Sequence, residues 1–285
     1  MVAASDILER FQKYRNELVR ATAYSILEST IQFFSDGKKD LPEAHASGLL
    51  LTLDDRFFMV TAAHVIADNY EQIYIILPDQ ELQLGGKLHF TPLPESGKRI
   101  DDKIDIAVME LEENVVVDIL DGGFKFITRS NIGISHGNAS LPYYLSVGYP
   151  VTKTKKVWGK PELKSEPFVY QTEPNINFNY AQHGFMPASH IAIEFDGKVR
   201  SESNTNLHAA PQLHGISGSG LWYLKDFAKP SMVSAKQLVG VIIEGVDKHH
   251  NKALIATRID VVTELIRQRF GLNIPQSSTI KVNLL

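Results

Sequence analysis

Leu49-Leu50-Leu51-Thr52-Leu53, then Asp54-Asp55-Arg56, then Phe57-Phe58-Met59-Val60-Thr61 reads as two short strands reversing at a tight turn. Aliphatic, aromatic and β-branched side chains suit a pleated, half-buried surface, and the paired aspartates suit the reversal between the strands. The second strand runs directly into Ala62-Ala63-His64. Comparable runs recur at 73–77, 104–111, 143–147, 168–171, 190–195, 220–224 and 238–243. Many short strands with little helical spacing between them predict an all-β sandwich or barrel.

Helical spacing is confined to the two ends. Behind Ser5 or Asp6 as a cap, Ile7, Leu8, Phe11, Tyr14, Leu18 and Val19 recur every three or four residues, which predicts an amphipathic helix over 5–20. Its apolar stripe packs on the domain that follows or docks a regulatory protein partner. Ile259, Val262, Leu265, Ile266 and Phe270, stopped by Gly271, predict a closing helix over 258–270. The expected organisation is an N-terminal helix (1–21), one large domain (22–270) and a C-terminal tail (271–285). Within that domain, 153–212 is rich in Asn, Pro and Ser and reads as long loops that shape a cleft.

Bulk properties narrow the function classes. The 29 basic and 33 acidic residues leave a net charge of −4, so no overall field draws the chain onto nucleic acid. The chain has no cysteine, which rules out disulfides and thiolate catalysis and suits a reducing, cytoplasmic setting. No apolar run approaches the roughly 20 residues needed to span a bilayer, and the charged first thirty residues do not read as an export signal. No membrane partner is expected.

Three short motifs carry chemistry. Ser217 lies in His214-Gly215-Ile216-Ser217-Gly218-Ser219-Gly220, where glycines permit a tight turn whose backbone amides converge on one point. His64 closes a strand behind two alanines that let the backbone pack close. Asp105 interrupts Lys103-Ile104-Asp105-Ile106-Ala107-Val108, and a carboxylate entering an apolar strand needs a hydrogen-bonding partner such as histidine.

Together, Thr61-Ala62-Ala63-His64, Asp105-Ile106-Ala107-Val108 and Gly215-Ile216-Ser217-Gly218-Ser219-Gly220 resemble the motifs of the trypsin-like or chymotrypsin-like serine peptidases, in that family's order and at separations of 41 and 112 residues. Ala46-Ser47-Gly48-Leu49-Leu50 is similar to the strand before the histidine hairpin, and Gly240-Val241-Ile242-Ile243-Glu244-Gly245 to the substrate-binding strand. The resemblance implies two six-stranded barrels, about 22–135 and 136–257, with the cleft between them. It implies a triad of His64, Asp105 and Ser217, oxyanion donors at Gly215 and Ser217, a protein or peptide substrate, and no metal or organic cofactor. The alternative is a silent barrel of the same fold that binds peptides or partners.

The chain departs from the secreted digestive members. Ile216 stands where those members carry an aspartate that pairs with a newly released N-terminal amine, so activation of that kind is not expected. Without disulfides the chain looks more like the bacterial or intracellular branches. Ile243 stands where the family often has a serine near the aspartate, which leaves Asp105 one hydrogen bond short. Pro211, His214, Ile242, Ile243 and Gly245 are the candidate substrate-binding residues, and the uncharged Pro211 and Ile242 point to a small or aliphatic P1 side chain. His249-His250 reads as a hairpin tip rather than a metal site, and Lys153-Thr154-Lys155-Lys156 as solvated loop surface.

Overall fold

The computed structural model describes residues 4–37, 42–137, 143–157, 163–195, 198–201, 204–209, 214–225, 235–248, 251–281 and 283–284. Helix α1 (Ala4–Leu27) leads into β1 (Thr30–Asp36), β2 (Pro42–Leu53) and β3 (Arg56–Ala62). The chain continues through a single helical turn, α2 (Ala63–Ile66), to β4 (Ile73–Ile76), β5 (Glu81–Gln83), β6 (Gly86–Phe90) and β7 (Ile106–Leu111). Helix α3 (Glu113–Asp121) and a short β8 (Ile127–Thr128) complete the first half.

These strands form one sheet in the order β5-β4-β1-β2-β3-β7-β6, with β8 beside β2. Its two outermost strands, β5 and β6, are consecutive in the chain and separated only by Leu84 and Gly85, so the sheet curls on itself through one bent strand. The bend depends on Gly86. Its φ is +153°, and a Cβ there would lie 1.9 Å from the Glu110 carbonyl oxygen, where no side chain fits.

The second half begins with β9 (Tyr144–Gly148) and the hairpin β10 (Thr154–Lys156) and β11 (Leu163–Ser165). It continues with β12 (Phe168–Thr172), β13 (His190–Glu194) and the two-stranded ribbon of β14 (Lys198–Ser201) and β15 (Asn204–Ala209). Strands β16 (Gly220–Lys225), β17 (Ala235–Lys248) and β18 (Asn251–Arg258) complete a six-stranded sheet ordered β12-β9-β16-β17-β18-β13. Its ends approach each other: Pro174, just past β12, bridges Ile193 of β13, and the Thr172 hydroxyl donates to the Glu194 carbonyl at 2.7 Å. The fold is mostly β, with two curled, largely antiparallel sheets as the motif resemblance implies; the second has the expected six strands, while the first has eight because β5 and the short parallel β8 are added to it.

Three elements differ from the sequence reading. Helix α1 continues to Leu27 because Thr22, Ala23 and Ile26 extend the stripe of Leu18 and Val19 at helical spacing, with Ala23 and Ile26 in the core. That burial outweighs the β-branched and aromatic content of the segment. Helix α3 was not expected, since Val115-Val116-Val117 favours a strand; burial of Val115, Val116 and Ile119 on one face selects the helix. The 271–285 segment is no loose tail: Leu272, Ile274, Ile280 and Leu284 are buried, and the Ser277 hydroxyl donates to Asp260 of α4 (Ile259–Phe270).

Helix α4 returns from the second sheet to the first. Arg56 makes a paired contact with Glu110 and donates to the Phe270 carbonyl at 2.8 Å, and the Phe58 and Phe270 rings meet edge to face at 5.3 Å. Among the described residues no helix is long and apolar enough to cross a membrane.

Candidate active site

The first half supplies His64 and Asp105. Strand β3 delivers the chain into the α2 turn, and β3 pairs with β7, setting Ala62 opposite Ile106. That register brings the residue after β3 against the residue before β7. The Ala63 amide donates to the Asp105 carbonyl at 2.9 Å, the His64 amide to Asp105 Oδ1 at 2.8 Å, and His64 Nδ1 lies 2.5 Å from Oδ2. A carboxylate accepts, so Nδ1 carries the proton and Nε2 is left with its lone pair. Asp105 is buried, whereas the imidazole keeps 41% of its exposure.

Asp105 holds a left-handed backbone, φ 52°, a conformation that Asp tolerates better than most residues. The turn is clamped on both sides. Asp102 Oδ1 accepts from the Ile104 amide at 2.9 Å, while Oδ2 accepts from the Thr91 hydroxyl at 2.9 Å and from Arg99 at 2.5 Å. The Thr91 hydroxyl in turn accepts from the Ile106 amide at 3.1 Å. Thr91 and Asp102 escaped the sequence reading; the one available signal was an acidic pair, Asp101-Asp102, just ahead of an apolar strand.

Burial alone would lower the His64 pKa, but its hydrogen bond to Asp105 and the charges of Asp105 and Glu244 outweigh burial and raise it. Burial pushes the Asp105 carboxyl above its ordinary value, and the bonds from His64 oppose that rise. As expected from Ile243, no group on β17 donates to Asp105; among the described residues its carboxylate accepts only from His64.

The second half supplies the serine turn. The peptide unit is planar and trans, so its C=O and N–H point in opposite directions. The His214 carbonyl is held by the Val151 amide at 2.9 Å, which turns the Gly215 N–H the other way. The Ile216 carbonyl accepts from the Ser219 amide at 3.0 Å and hydroxyl at 2.6 Å, which turns the Ser217 N–H outward likewise. Neither amide has an acceptor among the described residues. Gly215 and Gly218 carry φ of +92° and +86°. A Cβ on Gly218 would lie 1.9 Å from the Ser47 carbonyl oxygen and 2.2 Å from Thr61 Oγ1.

Ser47 ties the two halves together. Fully buried on β2, it donates through its amide to the Ser217 carbonyl and through Oγ to the Gly215 carbonyl, both at 3.0 Å, and Oγ accepts from the Tyr149 amide at 2.9 Å. Thr61, three residues before His64, donates to the Ser47 carbonyl at 2.8 Å. The serine turn thus lies directly against β2 and the end of β3, the strand that leads into His64. Ser217 Oγ donates to the Ile243 carbonyl at 3.4 Å, and no hydrogen bond joins it to His64 among the described residues.

The expected substrate-binding residues separate. His214 is exposed beside the turn and Gly245 is exposed on β17. Ile242 and Ile243 are buried, Ile242 at 0% exposure within the core of the second sheet, so it does not line an open pocket and gives no support to an aliphatic P1 preference. Pro211 and the His249-His250 pair lie outside the described residues. The run Lys153-Thr154-Lys155-Lys156 is not a loop: Lys153 ends a short turn and Thr154–Lys156 form β10, paired with β11, with only Lys155 and Lys156 exposed.

No family model and no curated protein matches the sequence. Solved structures do. Neuropsin, a serine protease expressed in the limbic system of mouse brain, superposes with a TM-score of 0.52 at 16% identity, over 85% of this chain and 93% of its own. An inactivated protease paralogue of the scabies mite superposes at 0.49 and 17% identity, over 85% of this chain and 96% of its own. The fold is the chymotrypsin-like double barrel found in trypsin-like serine proteases; at these identities the likeness speaks for fold alone.

Proposed function

We propose that the chain is a serine endopeptidase, with Ser217 as nucleophile, His64 as general base and acid, and Asp105 as the group that orients the imidazole. One observation carries the reading: beside the His64–Asp105 pair lies a serine turn, and among the described residues neither His64 Nε2 nor the Gly215 and Ser217 amides have a hydrogen-bond partner. Two outward N–H groups next to a serine form a receptacle for an oxyanion, worth roughly 3 kcal/mol per donor in comparable sites.

In this mechanism a peptide lies along β17, with its scissile carbonyl between Ser217 Oγ and the two amides. His64 Nε2 takes the Ser217 proton as Oγ bonds to the carbonyl carbon, and then gives it to the leaving amine. Water repeats the sequence on the acyl-enzyme, releasing the acid and restoring Ser217. Asp105 keeps Nδ1 protonated and balances the imidazolium that forms. These residues need no metal or cofactor for the steps. A chain without cysteine suits the cytoplasm, and the N-terminal helix over 5–20 is the segment through which a regulatory partner would act.

The second reading, a silent peptide-binding barrel, is favoured by one feature: the Ser217 hydroxyl is bonded to Ile243 rather than to His64. In resting active sites such bonds are often long or misaligned and tighten when substrate binds, so the feature does not displace the first reading. Labelling with a fluorophosphonate probe decides between them. The native chain should label, and Ser217→Ala and His64→Ala should each abolish labelling; a native chain that stays unlabelled, even with peptide present, supports the silent barrel.

A further inference from the structure

One ion pair crosses the cleft beside the serine turn. Lys103 Nζ, on the loop that ends at Asp105, lies 2.8 Å from Glu244 Oε2 on β17, and the two side chains keep 35% and 44% of their exposure. Glu244 directly follows Ile243, whose carbonyl accepts the Ser217 hydroxyl, and its charge reaches the His64 imidazole. Strand β17 is bulged at this point: Ile242 pairs with Ala256 and Glu244 with Ile255, which leaves Ile243 as the extra residue. Strand β16 covers the other edge of β17 only as far as Val241. From Glu244 to Val246 that edge carries no strand among the described residues, and Gly245 has no side chain to obstruct a chain laid against it. A peptide added here passes the Glu244 carboxylate.

The surroundings decide which charge the edge selects. Among the described residues Lys103 has two partners, the Glu244 carboxylate and the face of the Phe185 ring, 4.8 Å from Nζ. It therefore keeps a stabilised position over the ring when Glu244 is engaged by something else. Exchanging Lys103 for a ligand cation keeps Glu244 neutralised. An incoming carboxylate would instead take Lys103 away and leave Glu244 uncompensated beside a loop that already carries Asp101, Asp102 and Asp105. We infer that Glu244 is a specificity residue that accepts a Lys or Arg side chain from a peptide lying along the free edge of β17, with Lys103 giving up Glu244 and staying over Phe185. This inference rests on reading the cleft as a peptide site.

Binding is measured on the full chain carrying Ser217→Ala, which separates recognition from cleavage. Fluorescein-labelled peptide pools, each fixed at one position as Arg, Gln or Glu, are titrated by fluorescence polarisation at low salt, where surface charges act most strongly. At one position Arg should bind about tenfold more tightly than Glu, because that comparison sets an attraction at Glu244 against a repulsion. Adding Glu244→Gln should shrink that ratio below about threefold, while adding Lys103→Gln should raise Arg affinity by removing the competitor. A preference for Glu, or an Arg preference that survives Glu244→Gln, overturns the inference. Cleavage by the native chain without charge selectivity overturns it alone. Arg-selective binding by a native chain that never labels at Ser217 overturns the peptidase reading and leaves Glu244 in its role; a chain that binds no pool overturns both.

Discussion

The two halves of the site are held together in different ways. The His64–Asp105 half is built within one sheet, from neighbouring ends of β3 and β7, by three hydrogen bonds between residues 63–64 and Asp105. The serine half is a turn whose peptide orientations are fixed largely from outside: Val151 holds the His214 carbonyl, and Ser47, on the opposite sheet, holds the Gly215 and Ser217 carbonyls. His64 is positioned by its own sheet, whereas the serine turn, whose Gly215 and Ser217 amides are oriented by bonds within its own half, is in addition anchored to the opposite sheet through Ser47.

The strongest test of the local half is Asp105→Asn. An amide preserves shape but reverses the donor and acceptor pattern at Nδ1, so probe-labelling and turnover rates should fall by about 10⁴-fold with little loss of stability. A small change in rate would show that Asp105 does not orient His64. The strongest test of the docked half is Gly218→Ala, whose Cβ would collide with the backbone of Ser47. It should cost about 3 kcal/mol or more in urea unfolding, against about 1 kcal/mol for Gly97→Ala, where φ is +69° and nothing lies within 4 Å. Equal costs would remove the argument for tight docking at the serine turn.

Ser47→Ala sharpens the comparison further. It deletes the hydroxyl shared by Gly215 and Tyr149, so it should cost about 2 kcal/mol in stability and lower kcat about tenfold, through a misplaced oxyanion donor, while KM holds. Loss of stability with kcat intact would make Ser47 a packing residue only. The smallest effect is in pH dependence. Because the His64 pKa is raised, the acid limb of kcat/KM should lie above the ordinary imidazole value of about 6.5, and Glu244→Gln should move it down. The linked stability has a definite sign. A raised folded pKa contributes stability that is full below about 6.5 and is lost as pH climbs through the folded value, and His64→Gln should flatten that part of the profile.

Much of this was legible in the residues themselves. The strands of the hairpin at 49–61 announce themselves by composition, α4 by spacing and its glycine stop, and the three motifs, each modest alone, by their conjunction in one order and at separations of 41 and 112 residues. The bend at Gly86 was not legible, because one glycine among 19 says nothing until its Cβ position is known to meet Glu110. Nor was Ser47: a serine on a buried strand is unremarkable until the turn that it holds, 168 residues away for Gly215, is brought to it.

The sequence by itself determined the β-rich class and the terminal helices and singled out the candidate reactive side chains, since these depend on local propensity, periodicity and chemistry. Tertiary structure alone decided the length of α1, the helical state of 113–121, the burial of Ile242 and the meeting of Lys103 with Glu244. Each of those depends on which distant surface a segment is packed against, and that information is shared between residues far apart in the chain.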